Sequence, residues 1–131
     1  MNFTTDEISQ LRDKATRLRG HELFPQEVLQ PLPALYKTEG MGSRAIAQIK
    51  IFHPLSNWYW YFSEFDGIEL FFGLTIGHAS EFGYTPKTEM EISLIRGIPF
   101  ERDLYFKPMT IEAVIEHHRK LEPDRDYPTF D

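Results

Sequence analysis

Between Ala45 and His78 the chain commits to strands. Three runs, Ala45–His53, Asn57–Glu64 and Glu69–His78, are rich in Ile, Phe, Tyr and Trp and alternate with period two. Pro54-Leu55-Ser56 separates the first two runs, and Asp66-Gly67, a strong hairpin signal, separates the second and third. On the middle run Trp58, Trp60 and Phe62 point one way and Tyr59, Tyr61 and Ser63 the other. On the third, Leu70, Phe72, Leu74 and Ile76 oppose Phe71, Gly73, Thr75 and Gly77. Both faces of this meander are therefore largely apolar. One must rest on helices, and the other needs a second layer or serves as a contact surface. Gly73 and Gly77 share a face and predict a shallow place where another backbone or a ligand comes close.

Helices flank this block. Thr4 followed by Glu7 has capping-box spacing, and Ile8, Leu11, Ala15 and Leu18 then fall on one face of a helix that ends near Gly20. That stripe needs cover, from the domain's own sheet or from a partner, with packing inside the chain as the default, and the basic run Arg12, Lys14, Arg17 and Arg19 reads as the helix's solvated side. Residues 21–44 carry three prolines and two glycines and read as a loop-rich connector with one helical turn. Glu81–Thr85 predicts a fourth strand. Thr88 and Glu91 repeat the capping-box spacing ahead of Met90, Ile92, Leu94 and Ile95. Glu101–Lys107 predicts a fifth strand, and Thr110 opens a last helix through Ile111, Val114, Ile115 and His118. The stretch 123–131 is polar, interrupted by proline and expected to fray. The fold class is α+β: an antiparallel sheet of four to five strands with N-terminal, middle and C-terminal helices.

The 131 residues suit a single domain with a substantial core, to which 11 Phe, six Tyr and two Trp contribute. No cysteine is present, which removes disulfides, thiolate zinc sites and cysteine nucleophiles. No apolar run approaches the roughly 20 residues that span a bilayer, so a soluble, cytoplasmic protein without membrane contact is expected. Charge is lopsided. Residues 1–60 carry seven basic and six acidic side chains, while residues 61–131 carry seven basic and 14 acidic. An acidic second half repels phosphates and disfavours broad nucleic-acid binding.

Chemistry-bearing residues are few. The five histidines show no i, i+4 pair, so a helical zinc site is not indicated and exposed or capping roles are expected. Glu64, Asp66 and Glu69 gather at the hairpin, while Glu101, Asp103 and Lys107 share one face of the fifth strand. Strand-borne carboxylates with a lysine are what a metal-dependent nuclease or nucleotide hydrolase uses, with Glu64, Asp66, Glu101, Asp103 and Lys107 as its set. Ordinary surface and salt-bridge roles are the stronger expectation. Arg102 reads as the partner of a distant acid, Glu81 or Glu89. No Gly-x-Ser-x-Gly context and no phosphate loop is present, and no cofactor is implied. The aromatic run Trp58–Phe62 resembles the base-stacking surface of RNA-binding sheets but lacks interleaved basic residues, which favours core packing.

Several separated motifs, in order, resemble one family: Leu32 to Tyr36 (LPALY), Trp58 and Trp60, the EFDG turn at Glu64–Gly67, LFFG at Leu70–Gly73, Glu81 to Tyr84 (EFGY) and ERDLYF at Glu101–Phe106. It is an uncharacterised domain-of-unknown-function family of small proteins carried on plasmids and integrative elements, near DNA-transfer, methylation and anti-restriction genes. The likeness covers residues 24–115, with 1–20 as an added helix. It departs at Thr85 to Met90, where Pro86 implies a stiffer entrance to the middle helix. The family supplies no catalytic residue. What the resemblance implies is a mobile-element accessory protein.

Together these features point to a non-enzymatic interaction protein that modulates a host defence or DNA-processing protein, an anti-restriction or anti-CRISPR-like inhibitor among the options. Tyr59, Tyr61, Glu64, Asp66 and Glu69 are its expected contact surface, since aromatic anchors dominate interfaces and acids compete for basic grooves. Self-association is left open.

Overall fold

A computed structural model describes residues 2–130. Helix α1 (Thr5–Arg19) starts at Thr4, whose hydroxyl accepts from the Glu7 amide while the Glu7 carboxylate accepts from the Thr4 amide, and it ends at Gly20 with φ of 88°. A short α2 (Gln26–Leu29) and a 3₁₀ turn (Gly42–Arg44) punctuate the connector. Strands β1 (Ile46–Ala47), β2 (Ile49–Phe52), β3 (Tyr59–Phe65), β4 (Leu70–Ile76) and β5 (Glu81–Pro86) follow. Then come α3 (Lys87–Ile92), β6 (Leu94–Ile95), β7 (Ile98–Pro99), β8 (Glu101–Arg102), β9 (Met109–Thr110) and α4 (Ile111–Leu121).

The main sheet is antiparallel, in the order β5-β4-β3-β2-β8; β1 pairs with β9 and β6 with β7. This is the expected α+β architecture of N-terminal, middle and C-terminal helices around a five-stranded sheet. The predicted alternation places Trp60 and Phe62 with Leu23, Phe24, Met90 and Phe100 on one face, and Tyr59 and Tyr61 with Ile111, Val114 and Ile115 on the other. Both faces are therefore packed, one by the connector and α3, the other by α4. Alternation shifts at Ser63, where a bulge separates the Phe62–Gly73 and Glu64–Phe72 pairs and returns Phe65 to the Phe62 side.

Several expectations are corrected. At Gly73 another backbone does come close, the Tyr61 carbonyl oxygen lying 1.9 Å from where a Cβ would stand, but no shallow place is left for a ligand, and a Cβ on Gly77, just past β4, would meet the Trp58 ring at 2.8 Å. The Thr88–Glu91 box does not form. Pro86 occupies the N-cap position, and the Thr88 amide and hydroxyl both donate to Glu69 Oε1, at 3.0 and 2.7 Å. The fifth strand stops after Arg102, because Asp103 folds the chain into a turn by accepting from the amides of Tyr105 and Phe106. Leu18 is exposed, so α1 turns Ile8, Leu11 and Ala15 inward, and it packs on α3 and β7 rather than on the sheet. Arg12 and Arg19 are not a solvated face. Arg12 pairs with Glu91 at 3.0 Å, and Arg19 donates to the carbonyls of Phe100 and Glu91. The segment from Pro123 does not stand off either: Tyr127 is buried against α4 and donates its hydroxyl to the Glu122 carbonyl at 2.8 Å.

Candidate functional site

The hairpin acids are structural. Asp66 Oδ1 accepts from the amides of Ile68, Glu69 and Leu70 at 2.7–2.9 Å, which holds its carboxyl below the usual range and closes the turn around Gly67 at φ 86°. Glu64 is 3% exposed. Its carboxylate accepts from the amides of Tyr36 and Thr38, both at 2.8 Å, and from the Thr38 hydroxyl. Those bonds fix the connector where Tyr36 adopts φ of 71°, a conformation costly for a non-glycine residue. Glu69 is spent on the N-terminus of α3. Tyr61 is 2% exposed, and Tyr59 packs against the His118 ring at 4.8 Å. The expected contact surface is thus overturned at Tyr61 and Glu64, whose burial leaves nothing for a partner to touch, while Glu69 is engaged internally.

The five residues of the metal-dependent alternative are not brought together. Phe52 pairs with both Tyr59 and Glu101, so Glu101 lies level with Tyr59, five residues along β3 from Glu64, or about 16 Å. Asp103 is paired to Lys50 at 3.3 Å, and Lys107 lies beyond the turn on an exposed stretch. Among the described residues no three His, Asp or Glu side chains converge as a metal would require.

What the fold does build is a cleft along the β2–β8 edge. A concavity of about 600 Å³ is floored by Phe52 and Tyr59 and rimmed by Arg19, Lys50, Glu101, Arg102 and Asp103. A second, of about 350 Å³, continues past Lys50 and Asp103 toward Tyr61, Lys107 and His117. Both are bounded by the turn at 103–106. Asp103 builds that turn through four contacts: its amide donates to the Lys50 carbonyl at 3.0 Å, its carbonyl accepts from the Phe106 amide, Oδ1 accepts from the Tyr105 amide, and Oδ2 meets Lys50 Nζ. Phe106 returns to the core beside the Tyr61 ring, at 5.7 Å between centroids. Leu104 and Tyr105 project outward, and Tyr105 is 91% exposed. Sequence reasoning misses this pair because the ERDLYF stretch alternates like a strand. The available signal is Asp103 two residues before Tyr105, the spacing of a side chain that closes its own turn.

Beneath the cleft, Tyr61 Oη lies 2.7 Å from His118 Nε2. Burial raises the phenol's pKa and lowers that of His118 to about 4, with His117 and Lys50 adding to the latter, so both groups are uncharged near neutrality. His118 is buried, against the expectation of an exposed or capping role, because i, i+3, i+4 and i+7 spacing places it on the same stripe as Ile111, Val114 and Ile115. His53 is buried as well, yet it caps: Nδ1 accepts from the Leu55 amide at 3.1 Å and Nε2 lies 2.8 Å from the Ile98 carbonyl. Arg102 meets neither Glu81 nor Glu89. Its Nε donates to the Leu23 carbonyl at 2.9 Å and a terminal nitrogen to that of Glu22.

No helix among the described residues is long and apolar enough to cross a membrane. No family model matches the chain, and searches of curated proteins and of solved structures return no match.

Proposed function

We propose that the chain is a non-catalytic accessory protein of mobile genetic elements, which binds a host defence or DNA-processing protein through the cleft and its Leu104–Tyr105 turn. The observation that carries this reading is the turn itself. An aromatic and an aliphatic side chain are held in solvent on a segment that Asp103 rigidifies, beside a concavity with an apolar floor. Rigid, preformed aromatic anchors are what interfaces concentrate their energy in, since little freedom is lost on contact. The rim alternates Arg19, Lys50 and Arg102 with Glu101 and Asp103, which suits a polar protein surface better than a polyphosphate. The mobile-element context rests on the motif resemblance, of which ERDLYF is this same turn.

The test is capture from nuclease-treated lysate of the native host with the tagged full chain. One stoichiometric protein is expected. Leu104→Asp and Tyr105→Ala should each weaken its binding roughly tenfold or more, while Leu121→Asp, on the exposed end of α4, leaves it unchanged. An empty capture with folded bait, or capture indifferent to both turn substitutions, overturns the reading.

A further inference from the structure

The main sheet ends on one side in β5, whose outer backbone groups are unpaired among the described residues while the Phe130 ring packs on that of Phe82 at 5.9 Å. Its residues pair with β4 from Thr75–Glu81 to Leu70–Pro86, and the Lys87 amide donates to the Glu69 carbonyl at 2.7 Å. That bond sets the phase of the ladder. Glu81, Gly83 and Thr85 direct their amides and carbonyls at β4, whereas Phe82 and Tyr84 direct theirs outward. Among the described residues no hydrogen bond reaches the Phe82 or Tyr84 backbone from that side. Edge strands are ordinarily protected by lysine, a bulge, a central proline or a covering segment. Here Glu81 and Pro86 sit only at the two ends, the register with β4 is unbroken, and the middle is Phe82-Gly83-Tyr84.

We propose that β5 is a homodimer interface, in which two copies of this chain pair edge to edge, antiparallel, across a two-fold axis at Gly83. The edge is complementary to itself in this register. Each Phe82 faces Tyr84 of the second copy, and the two outward donors and two outward acceptors of each chain are all used, giving four hydrogen bonds. Gly83 faces Gly83 in the close, non-bonded position, where backbones come nearest and where a Cβ would find nothing within 4 Å in the single chain. Phe82 and Tyr84 lie on one face of the sheet with Phe72, which stands 6.0 and 5.1 Å from their rings. Pairing therefore continues an aromatic row from one molecule into the next and covers Tyr84, 49% exposed in the single chain. No like charges meet, since each Glu81 falls opposite Thr85. Pro86 limits the match to the short central segment, which fits this self-pairing better than a long foreign strand. The two sheets would become one of ten strands. Each chain carries a formal charge of −6, so association should strengthen as salt rises.

Sedimentation velocity on the full chain tests this. The expected result is a concentration-dependent species of twice the 15.4 kDa chain mass, favoured by added salt. Gly83→Lys and Gly83→Glu should each give monomers, because two like charges then face each other across the axis. Mixing the two variants should restore the dimer as a heterodimer. A monomer at every concentration up to the millimolar range overturns the proposal, and so does a dimer that survives both substitutions. Should a variant fail to fold, amide exchange on the unaltered chain decides: Phe82 and Tyr84 amides must gain protection as concentration rises, and unchanged exchange refutes the interface. A monomer whose Phe82 and Tyr84 amides are protected only by an added peptide strand likewise refutes the second copy as occupant.

Discussion

His118 carries the clearest single-residue consequence. Its imidazole titrates near 6.5 in an unfolded chain and near 4 in the folded one, first because burial disfavours the cation. The unfolded state therefore binds the extra proton first as pH falls, and folding stability decreases between about pH 6.5 and pH 4. At one pKa unit per roughly 1.4 kcal/mol, the full loss across that range is about 3 kcal/mol. Urea unfolding at pH 7 and pH 5 should show the drop, and His118→Gln, which keeps a polar partner for Tyr61 Oη, should flatten it. A slope unchanged in that variant would place the proton elsewhere. Gly73 shows the other kind of residue-level constraint. The Tyr61 carbonyl occupies the space where any side chain would begin, so that position is closed by backbone rather than by a movable ring.

At the scale of elements, α3 depends on a residue from another strand. Its six residues have no local side-chain cap, and Glu69 supplies one from 19 positions earlier. Glu69→Ala should cost about 1–2 kcal/mol in urea unfolding, whereas Thr88→Ser, which keeps the hydroxyl, should cost well under half of that. Equal losses would mean the carboxylate is not the cap. The same contact explains what the sequence can and cannot tell. Periodicity locates α1, α4 and four of the five sheet strands, because those elements are specified by neighbours in the chain. The capping box at Thr88 misleads because a distant carboxylate takes the role that local spacing assigns to Glu91. Alternation overextends the strand at 101–107 because Asp103 bonds its own turn. The cleft is only half legible: Tyr59, Tyr61, Glu101 and Asp103 stand out in the sequence, but Lys50 and Leu104–Tyr105 acquire their roles from register and turn geometry.

For the whole molecule, arginines join the N-terminal helix and the residues after it to the stretch 91–102. Arg102 holds the carbonyls of Glu22 and Leu23, Arg19 holds those of Phe100 and Glu91, and Arg12 meets the Glu91 carboxylate. Arg102→Lys keeps the charge but loses the forked donor pair, and should lower stability by about 1–2 kcal/mol. Arg119→Lys, whose pair with Glu116 is open to solvent, should change it by less than about 0.5 kcal/mol. A urea midpoint as insensitive at Arg102 as at Arg119 would remove the clasp from the account.

That clasp spans about 80 residues of sequence, and the ribosome must traverse them in order. The first helix leaves the exit tunnel with its docking partners still unmade. At 5–20 residues per second, roughly 4–16 s pass before Arg102 follows. A lone helix of 15 residues is marginal in water, so its capping box and its sparse apolar stripe suit a segment that has to wait without sticking. Slower synthesis between the two halves of the clasp lengthens that wait in proportion.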